Sequence, residues 1–331
     1  MNTTNDKKRR KDWARAAATV FLALAMSACN ADIFIDDFLP QTPFLRIERA
    51  GETVSIPFEA TNWGILWGYD IDESFHTWGT DLEGNSLSLP FNEEQLGIVH
   101  IQDDFFDLQV EKKNRREMSV TLLENLYDYP IEMSLAVGNQ YVEKRIPLTL
   151  APGSKYRVDS VAYDWSQFHT YDYGAEWVYS LIVDNTMSAD TIWATIRPYE
   201  DAVRSVRFSI PGTVMPADYY TTILGSPLPE VTIPDIEDGQ PVLQDTRATF
   251  NLHEQDLPTG LDKNFSARVP VPGGKNMKVG VYVTIENYTV PFTLHCSNPD
   301  SGRKRTFSGT LTSDRPYDYF YVKEDLSETN E

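Results

Sequence analysis

The chain is short of cysteine, with two in 331 residues. That number excludes a disulfide framework of the kind that staples small secreted domains. Positive charge is scarce as well: 29 Lys+Arg stand against 49 Asp+Glu, a formal net charge of −20. A nucleic-acid binder needs a basic face to neutralise phosphates, so that class is excluded too. The sequence holds no Gly-x-Ser-x-Gly elbow, no Gly-x-x-x-x-Gly-Lys loop and no Gly-x-Gly-x-x-Gly turn, and so none of the chemistry those loops support. Histidine is limited to five. His76, His100 and His169 are scattered, and His253-Glu254-Gln255-Asp256-Leu257 has Leu where a zincin needs its second His. What the chain does have is 41% hydrophobic and 12% aromatic residues. That is too rich for disorder, and the length suffices for one or two domains with cores of their own.

The N-terminus is the most specific segment. Lys7, Lys8, Arg9, Arg10, Lys11 and Arg15 precede the apolar stretch Ala16–Ala25, which is too short to cross a bilayer comfortably. It ends in Met26-Ser27-Ala28-Cys29, which resembles the bacterial lipobox. The resemblance implies a signal peptide over residues 1–28, diacylation of Cys29, and a tether over 29–41 that holds the protein to a membrane. Residues 1–28 carry six basic and two acidic side chains, leaving 23 against 47, a net of −24. Asn30 follows Cys29 in place of the Asp that favours inner-membrane retention, so an outer-membrane lipoprotein is expected. Asp32, Asp36 and Asp37 resemble the acidic surface-export signal of Bacteroidota lipoproteins; surface-exposed and periplasm-facing anchoring both stay open. Lipidation leaves Cys296 alone beside His295. Neighbours on a strand point to opposite faces, so a buried, inert thiol is expected there.

From Phe44 onward the chain reads as strands. Glu117–Leu123 puts Met118, Val120 and Leu122 on one face and Ser119 and Thr121 on the other. Met133 with Leu135, and Ile146 with Leu148, repeat the period of two. Strand-sized runs between Gly, Pro, Asn and Asp predict an all-β protein of tandem antiparallel, immunoglobulin-like β-sandwich modules. The first module spans 42–150 and ends at the turn cluster Ala151-Pro152-Gly153-Ser154. The second covers 155–323, as one domain or two smaller sheets. Helical content is expected only weakly, around Asn92–Gln95. Six prolines between Pro211 and Pro241 predict a long loop, and the acidic tail 324–331 is expected to be disordered. Arg145-Ile-Pro-Leu-Thr-Leu150 echoes Thr289-Val-Pro-Phe-Thr-Leu294, and Pro in each predicts an edge strand or a bulge.

Val54-Ser-Ile-Pro-Phe58, Ala60-Thr61-Asn62-Trp63 with Trp67 close behind, Met118–Leu123 and Val142–Leu150 together resemble a BACON or related immunoglobulin-like domain over residues 42–150. Such modules are common at the start of Bacteroidota envelope lipoproteins. The segment Tyr69–Asp103 is extra relative to that pattern, and the usual closing Gln is missing. The fold buries a Trp at the position of Trp63; Trp67 and Trp78 are also expected in the core.

No catalytic site and no cofactor emerge. Asp70, Asp72 and Glu73, with Asp81 or Glu83 nearby, offer hard oxygen ligands for calcium, but an acidic surface turn accounts for the same residues. Asp103, Asp104 and Asp107 lack an assigned facing carboxylate for glycosidase work and read as a solvated face. Aromatics are the more informative group. Trp165, Phe168, Tyr171 and Tyr173 mix with Asp and Gln in a loop between strands, the pattern used to anchor a protein partner or to stack sugars; the first expectation for Trp165, Trp177 and Trp193 is nonetheless as core plugs of a sandwich. The expectation is a non-enzymatic, lipid-anchored envelope protein whose partners are a glycan or an envelope protein. A glycan or peptide hydrolase and a plain structural spacer are the alternatives.

Overall fold

The computed structural model describes residues 37–69, 71, 73–212, 216 and 218–328. The leader, Cys29 and the calcium candidates Asp70 and Asp72 lie outside the described residues. The chain is all-β, built from several mostly antiparallel sheets.

The first unit is a sandwich. One sheet runs β1 (Leu45–Ile47), β10 (Glu143–Leu150), β9 (Ile131–Gly138), β3 (Gly64–Tyr69). The other runs β2 (Thr53–Pro57), β8 (Glu117–Asn125), β7 (Phe106–Asn114), β6 (Gly97–Gln102), β4 (His76–Thr80), β5 (Ser86–Leu87). The pair β1–β10 is parallel, a departure from the expected antiparallel plan. Alternation sets the facing: Met118, Val120, Leu122 and Ile146 are fully buried, and Met133, Leu135 and Leu148 nearly so. Trp63 is fully buried as expected. Its ring stacks on Phe58 at 3.7 Å, and its Nε1 donates to the Arg115 carbonyl at 2.8 Å.

Lys112 is buried beside it. Its Nζ donates to the carbonyls of Trp63 (2.8 Å), Asn92 (3.0 Å) and Glu93 (2.9 Å) and lies 4.6 Å from the Trp63 ring centroid. The expected helical segment at Asn92–Gln95 is instead a turn. The Asn92 side chain accepts the amides of Glu94 and Gln95, an Asx geometry that competes with helix.

The second unit is organised by β19 (Asn276–Ser297) and β20 (Lys304–Asp325), 22 residues each. At about 3.3 Å per residue such a ribbon is about 70 Å long. One edge of β19 pairs in succession with β12 (His169–Asp184) and β11 (Arg157–Tyr163). Pro291 sits where one partner strand gives way to the other. β12 pairs up to Thr289, β11 pairs from Phe292, and the Pro291 carbonyl accepts the Asp164 amide at 3.0 Å. Pro147 lies one residue before β1 begins pairing at Leu148. Neither strand is an edge strand; both prolines occupy gaps where a neighbour ends or begins.

Near the first unit, β14 (Arg204–Ser209), β17 (Gln255–Leu257), a hairpin of β15 (Glu230–Glu237) and β16 (Gln240–Thr249), and α1 (Tyr219–Leu224) enclose a core of Phe208, Phe250, Phe292 and their neighbours. The proline-rich stretch is therefore largely structured, contrary to the loop expectation. Asp238 (φ 50) and Gly239 (φ 74) turn β15 into β16 as a two-residue hairpin of the primed type. Pro234 falls at a register shift, where its missing donor costs little. At the far half of the ribbon, β13 (Ile192–Ile196) and β18 (Ala267–Val271) cover one face over Val279 and Val281. The tail departs from expectation as well: β20 continues through Asp325, whose carboxylate pairs with Lys275 at 2.5 Å, and a 3-10 turn follows to Glu328.

The two units meet at a joint of apolar and charged contacts, where Leu126 is buried in the second core and Phe105 packs on Tyr219 at 5.3 Å. Glu124 is 2% exposed; it accepts the Tyr156 hydroxyl at 2.5 Å and pairs with Arg305. Arg303 pairs with buried Asp107 at 2.8 Å, and Asn298 donates to the Ser154 carbonyl at 2.6 Å. Burial, reinforced by the Glu124 carboxylate, pushes the Tyr156 phenol up to about 12. The described chain begins at the opposite pole of the first unit. There Asp37 pairs with Lys144, near the start of β10, at 2.6 Å, whereas the joint follows the end of β10 at Leu150.

Candidate binding face

Beyond the joint, the far half of the ribbon has one covered face and one bare one. Residues on β19 alternate: Val279, Val281 and Val283 turn inward, and Lys278, Gly280, Tyr282 and Thr284 turn outward. Register then places Trp177 of β12 and Phe320 of β20 on either side of Tyr282. Tyr282 and Phe320 stack with centroids 5.2 Å apart and planes 7° apart, the offset-parallel arrangement aromatic pairs prefer. Gly280 makes room for this pair: a Cβ there would stand 3.1 Å from the Tyr282 ring. Trp177 leans along its own strand and donates Nε1 to Ser180 Oγ at 3.1 Å.

The row is open to solvent. Trp177 is 58% exposed, Phe320 42%, and Val322 and Ile182 flank it at 50% and 66%. The outer edge of β12 is without a strand partner among the described residues and is interrupted by two bulges, at Asp172–Ala175 and Trp177–Tyr179. Trp193 and Met187 are exposed as well, Trp193 on β13, which covers the opposite face of the ribbon. Contiguous exposed apolar surface of this kind marks interaction sites in soluble domains. Trp177 and Trp193 were expected as core plugs. Trp177 is exposed because the bulge at Trp177–Tyr179 puts it out of phase with the inward-packed Tyr179 and Leu181, and Trp193 because it stands on the outer side of β13.

The residues singled out from sequence separate. Trp165 is partly exposed in a 3-10 turn capped by Asp164, and its ring is tilted 53° to Phe168 and 41° to Tyr163. Phe168 turns inward and stacks on buried Tyr288 at 5.2 Å. Tyr171 is exposed, and the Tyr173 side chain lies outside the described residues. These residues therefore do not form one coplanar platform. Trp78 was expected in the core; it is half-buried on an outer face, stacked on His100 at 4.8 Å and close to His76 at 5.1 Å. The Trp67 side chain lies outside the described residues. Tyr282 and Phe320, missed from sequence, sit 105 and 143 residues beyond Trp177; only the ribbon's register brings them together.

The acidic residues have structural tasks. Asp81 accepts the Glu83 and Asn85 amides and the Asn85 side chain, and these bonds, those from Asn85 foremost, hold its carboxyl below the usual range. Asp103 accepts the Phe105 amide at 2.7 Å and the Tyr127 hydroxyl at 2.5 Å. Glu73 is exposed in a turn. Among the described residues no group of three His, Cys, Asp or Glu is placed to hold a metal. Cys296 is buried, and burial pushes its thiol up to about 12, while His295 faces out.

No protein-family model matches the chain, and neither does any curated protein. Solved structures give only distant likenesses. Lamprey immune protein is similar at a TM-score of 0.36 and 11% identity, over 83% of this chain and 98% of its own. The parasporin-2 toxin of Bacillus thuringiensis scores 0.27 at 13% identity, over 51% and 73%. An aerolysin-like protein of Bombina maxima scores 0.23 at 11%, over 50% and 96%. Likeness at this level defines neither the fold nor the activity of this chain.

Proposed function

We propose that the chain is a lipid-anchored cell-envelope protein of Bacteroidota type that works by binding rather than catalysis, offering the outer face of its distal ribbon to a partner protein in a surface assembly. The observation that carries this reading is the aromatic row Trp177–Tyr282–Phe320 at the end of the ribbon remote from the joint, in which Trp177, Phe320, Val322 and Ile182 are exposed and Tyr282 is half-buried between them. The lipobox at Cys29 and the BACON-like first sandwich supply the anchor and the location. Asp37, the first described residue, pairs with Lys144 at the pole of the first unit opposite the joint, and a tether from Cys29 would reach the unit there. An anchor there would leave the first sandwich near the bilayer and the ribbon directed away from it. A protein partner fits better than a glycan because the rings near Trp165 are tilted and Phe168 is turned inward, packed against the core on Tyr288. Tyr282 and Phe320 also spend one face each on one another.

The test is site-specific photo-crosslinking in the native envelope. A crosslinker replacing Trp177 should trap one discrete protein, and the purified partner should lose binding to the Phe320→Ser variant. A crosslinker at exposed Thr53 should trap nothing. No adduct from either position, or a partner indifferent to Phe320→Ser, overturns the reading. Palmitate labelling lost in Cys29→Ser checks the anchor separately.

A further inference from the structure

The turn that joins β9 to β10 lies at the pole where the described chain begins. Gly138 ends β9 and Glu143 opens β10, leaving residues 139–142 between them. One side chain builds this turn. Asn139 Oδ1 accepts the amides of Tyr141 (2.9 Å) and Val142 (3.1 Å), and its Nδ2 donates to the Asn62 carbonyl (2.7 Å). The Asn139 amide donates to the Val142 carbonyl at 3.0 Å. Gly138 permits so tight a turn, since a Cβ there would run into that same carbonyl. Fixed in this way, the turn presents Gln140, Tyr141 and Val142 to solvent in succession, with Tyr141 56% and Val142 39% exposed. Turn tips are commonly filled by Gly, Asn, Asp or Ser. Here a well-ordered tip carries a tyrosine and a β-branched residue that nothing among the described residues covers.

The place of the turn points to its partner. Lys144, two residues past Val142, holds Asp37 at 2.6 Å. From Asp37 back to Cys29 there are eight residues, which span at most about 28 Å. A lipid on Cys29 therefore keeps the bilayer within that reach of the turn. The contact on offer is apolar rather than electrostatic. Residues 139–142 carry no charge, and Lys144, Arg145 and Arg115 around them are paired with Asp37, Glu143 and Glu94. Tyrosine favours the headgroup level of a bilayer, where its ring is buried and its hydroxyl stays wet. A surface tethered so closely needs little affinity of its own to stay engaged.

We infer that the β9–β10 turn seats Tyr141 and Val142 in the headgroup region of the membrane that holds the lipid anchor. The inference rests on the anchor at Cys29 proposed above and adds a second point of contact to it. A lipid on Cys29 sets only the distance between the first sandwich and the bilayer. The seated turn sets its orientation, with this pole against the membrane and the joint, on the opposite pole, away from it.

The test uses the full lipidated protein reconstituted into phosphatidylcholine vesicles. Val142→Cys carries an environment-sensitive nitrobenzoxadiazole label, and buried Cys296 stays unlabelled. The emission is expected to shift to the blue on reconstitution and to be quenched by phosphatidylcholine spin-labelled near the headgroup. The same label at Met187→Cys, at the far end of the ribbon, should do neither. Tyr141→Asp in the Val142→Cys background should lose the quenching, and Tyr141→Trp should keep it. A label at 142 that stays in water while the protein floats with the vesicles overturns the inference and leaves the anchor standing. So does quenching that is indifferent to Tyr141→Asp, equal at Met187, or present only when anionic phosphatidylglycerol is added. Protein that carries no lipid and fails to float refutes the anchor, and this inference with it.

Discussion

Replacing Glu124 by Gln tests the joint that fixes the direction of the ribbon. Gln keeps the shape and an acceptor for the Tyr156 hydroxyl but removes the charge facing Arg305, which is also held 5.1 Å over the Tyr156 ring. Removing one partner of a buried ion pair costs about 3–5 kcal/mol. The Arg305 side chain keeps 24% of its exposure, so water relieves part of that, and a loss of about 3 kcal/mol is expected. For units of this size the melting temperature then falls by about 6–12 °C. Arg305→Met removes the other partner and should cost a similar amount, because a buried carboxylate is left alone. The double variant, with neither charge, should be less destabilised than the sum of the singles by at least about 1 kcal/mol. The assay is urea unfolding of the four proteins in one buffer, with trypsin sensitivity at Lys155 reporting the joint directly. Strictly additive losses would show that the pair does not hold the units together, and the argument for a directed ribbon would fail with it.

Lys112→Met leaves the carbonyls of Trp63, Asn92 and Glu93 without their donor; a loss of about 3 kcal/mol is expected after crediting the relieved burial of an ammonium, read as a lower urea midpoint at unchanged slope. Stability should also fall in alkali. Burial raises the Tyr156, Tyr220 and Tyr288 phenols and the Cys296 thiol to about 12, so the unfolded chain gives up these protons first. The stability they support is complete below their ordinary values of 10.0 and 9.0 and is lost as the pH climbs toward 12; a urea midpoint unchanged between pH 8 and 11.5 contradicts this. Gly280→Leu places a side chain where the Tyr282 ring lies. It should remove the near-ultraviolet dichroism of the Tyr282–Phe320 stack and, because Gly280 is buried beneath that ring, lower stability by about 1–3 kcal/mol.

Much of the fold was legible because the first unit obeys a strict period of two. Met118, Val120 and Leu122 could face only one way, and the resemblance to an immunoglobulin-like module implied a buried Trp63, which the structure buries. The proline-rich segment misled because proline was counted without position. Asp238-Gly239 was the hairpin signal in that stretch, and it outweighs a proline lodged at a register shift. The binding face was half legible. The aromatic population of the second unit was visible, but Trp177 and Trp193 were expected in the core, and Trp165 and Phe168, three residues apart, ended on different sides of a 3-10 turn.

By itself the sequence determined the strand character, the polar boundary after Leu150, the acidic balance and the lipobox-like leader, since each is a property of neighbouring residues. Only the tertiary structure decided which aromatics face water and which charges meet. Trp177, Tyr282 and Phe320 share a face through the register of a 22-residue ribbon. Arg204, Asp235 and Arg315 meet because a hairpin closes over a sheet. Both are contacts at long range, and a local pattern holds no information on which distant strand a residue will stand beside.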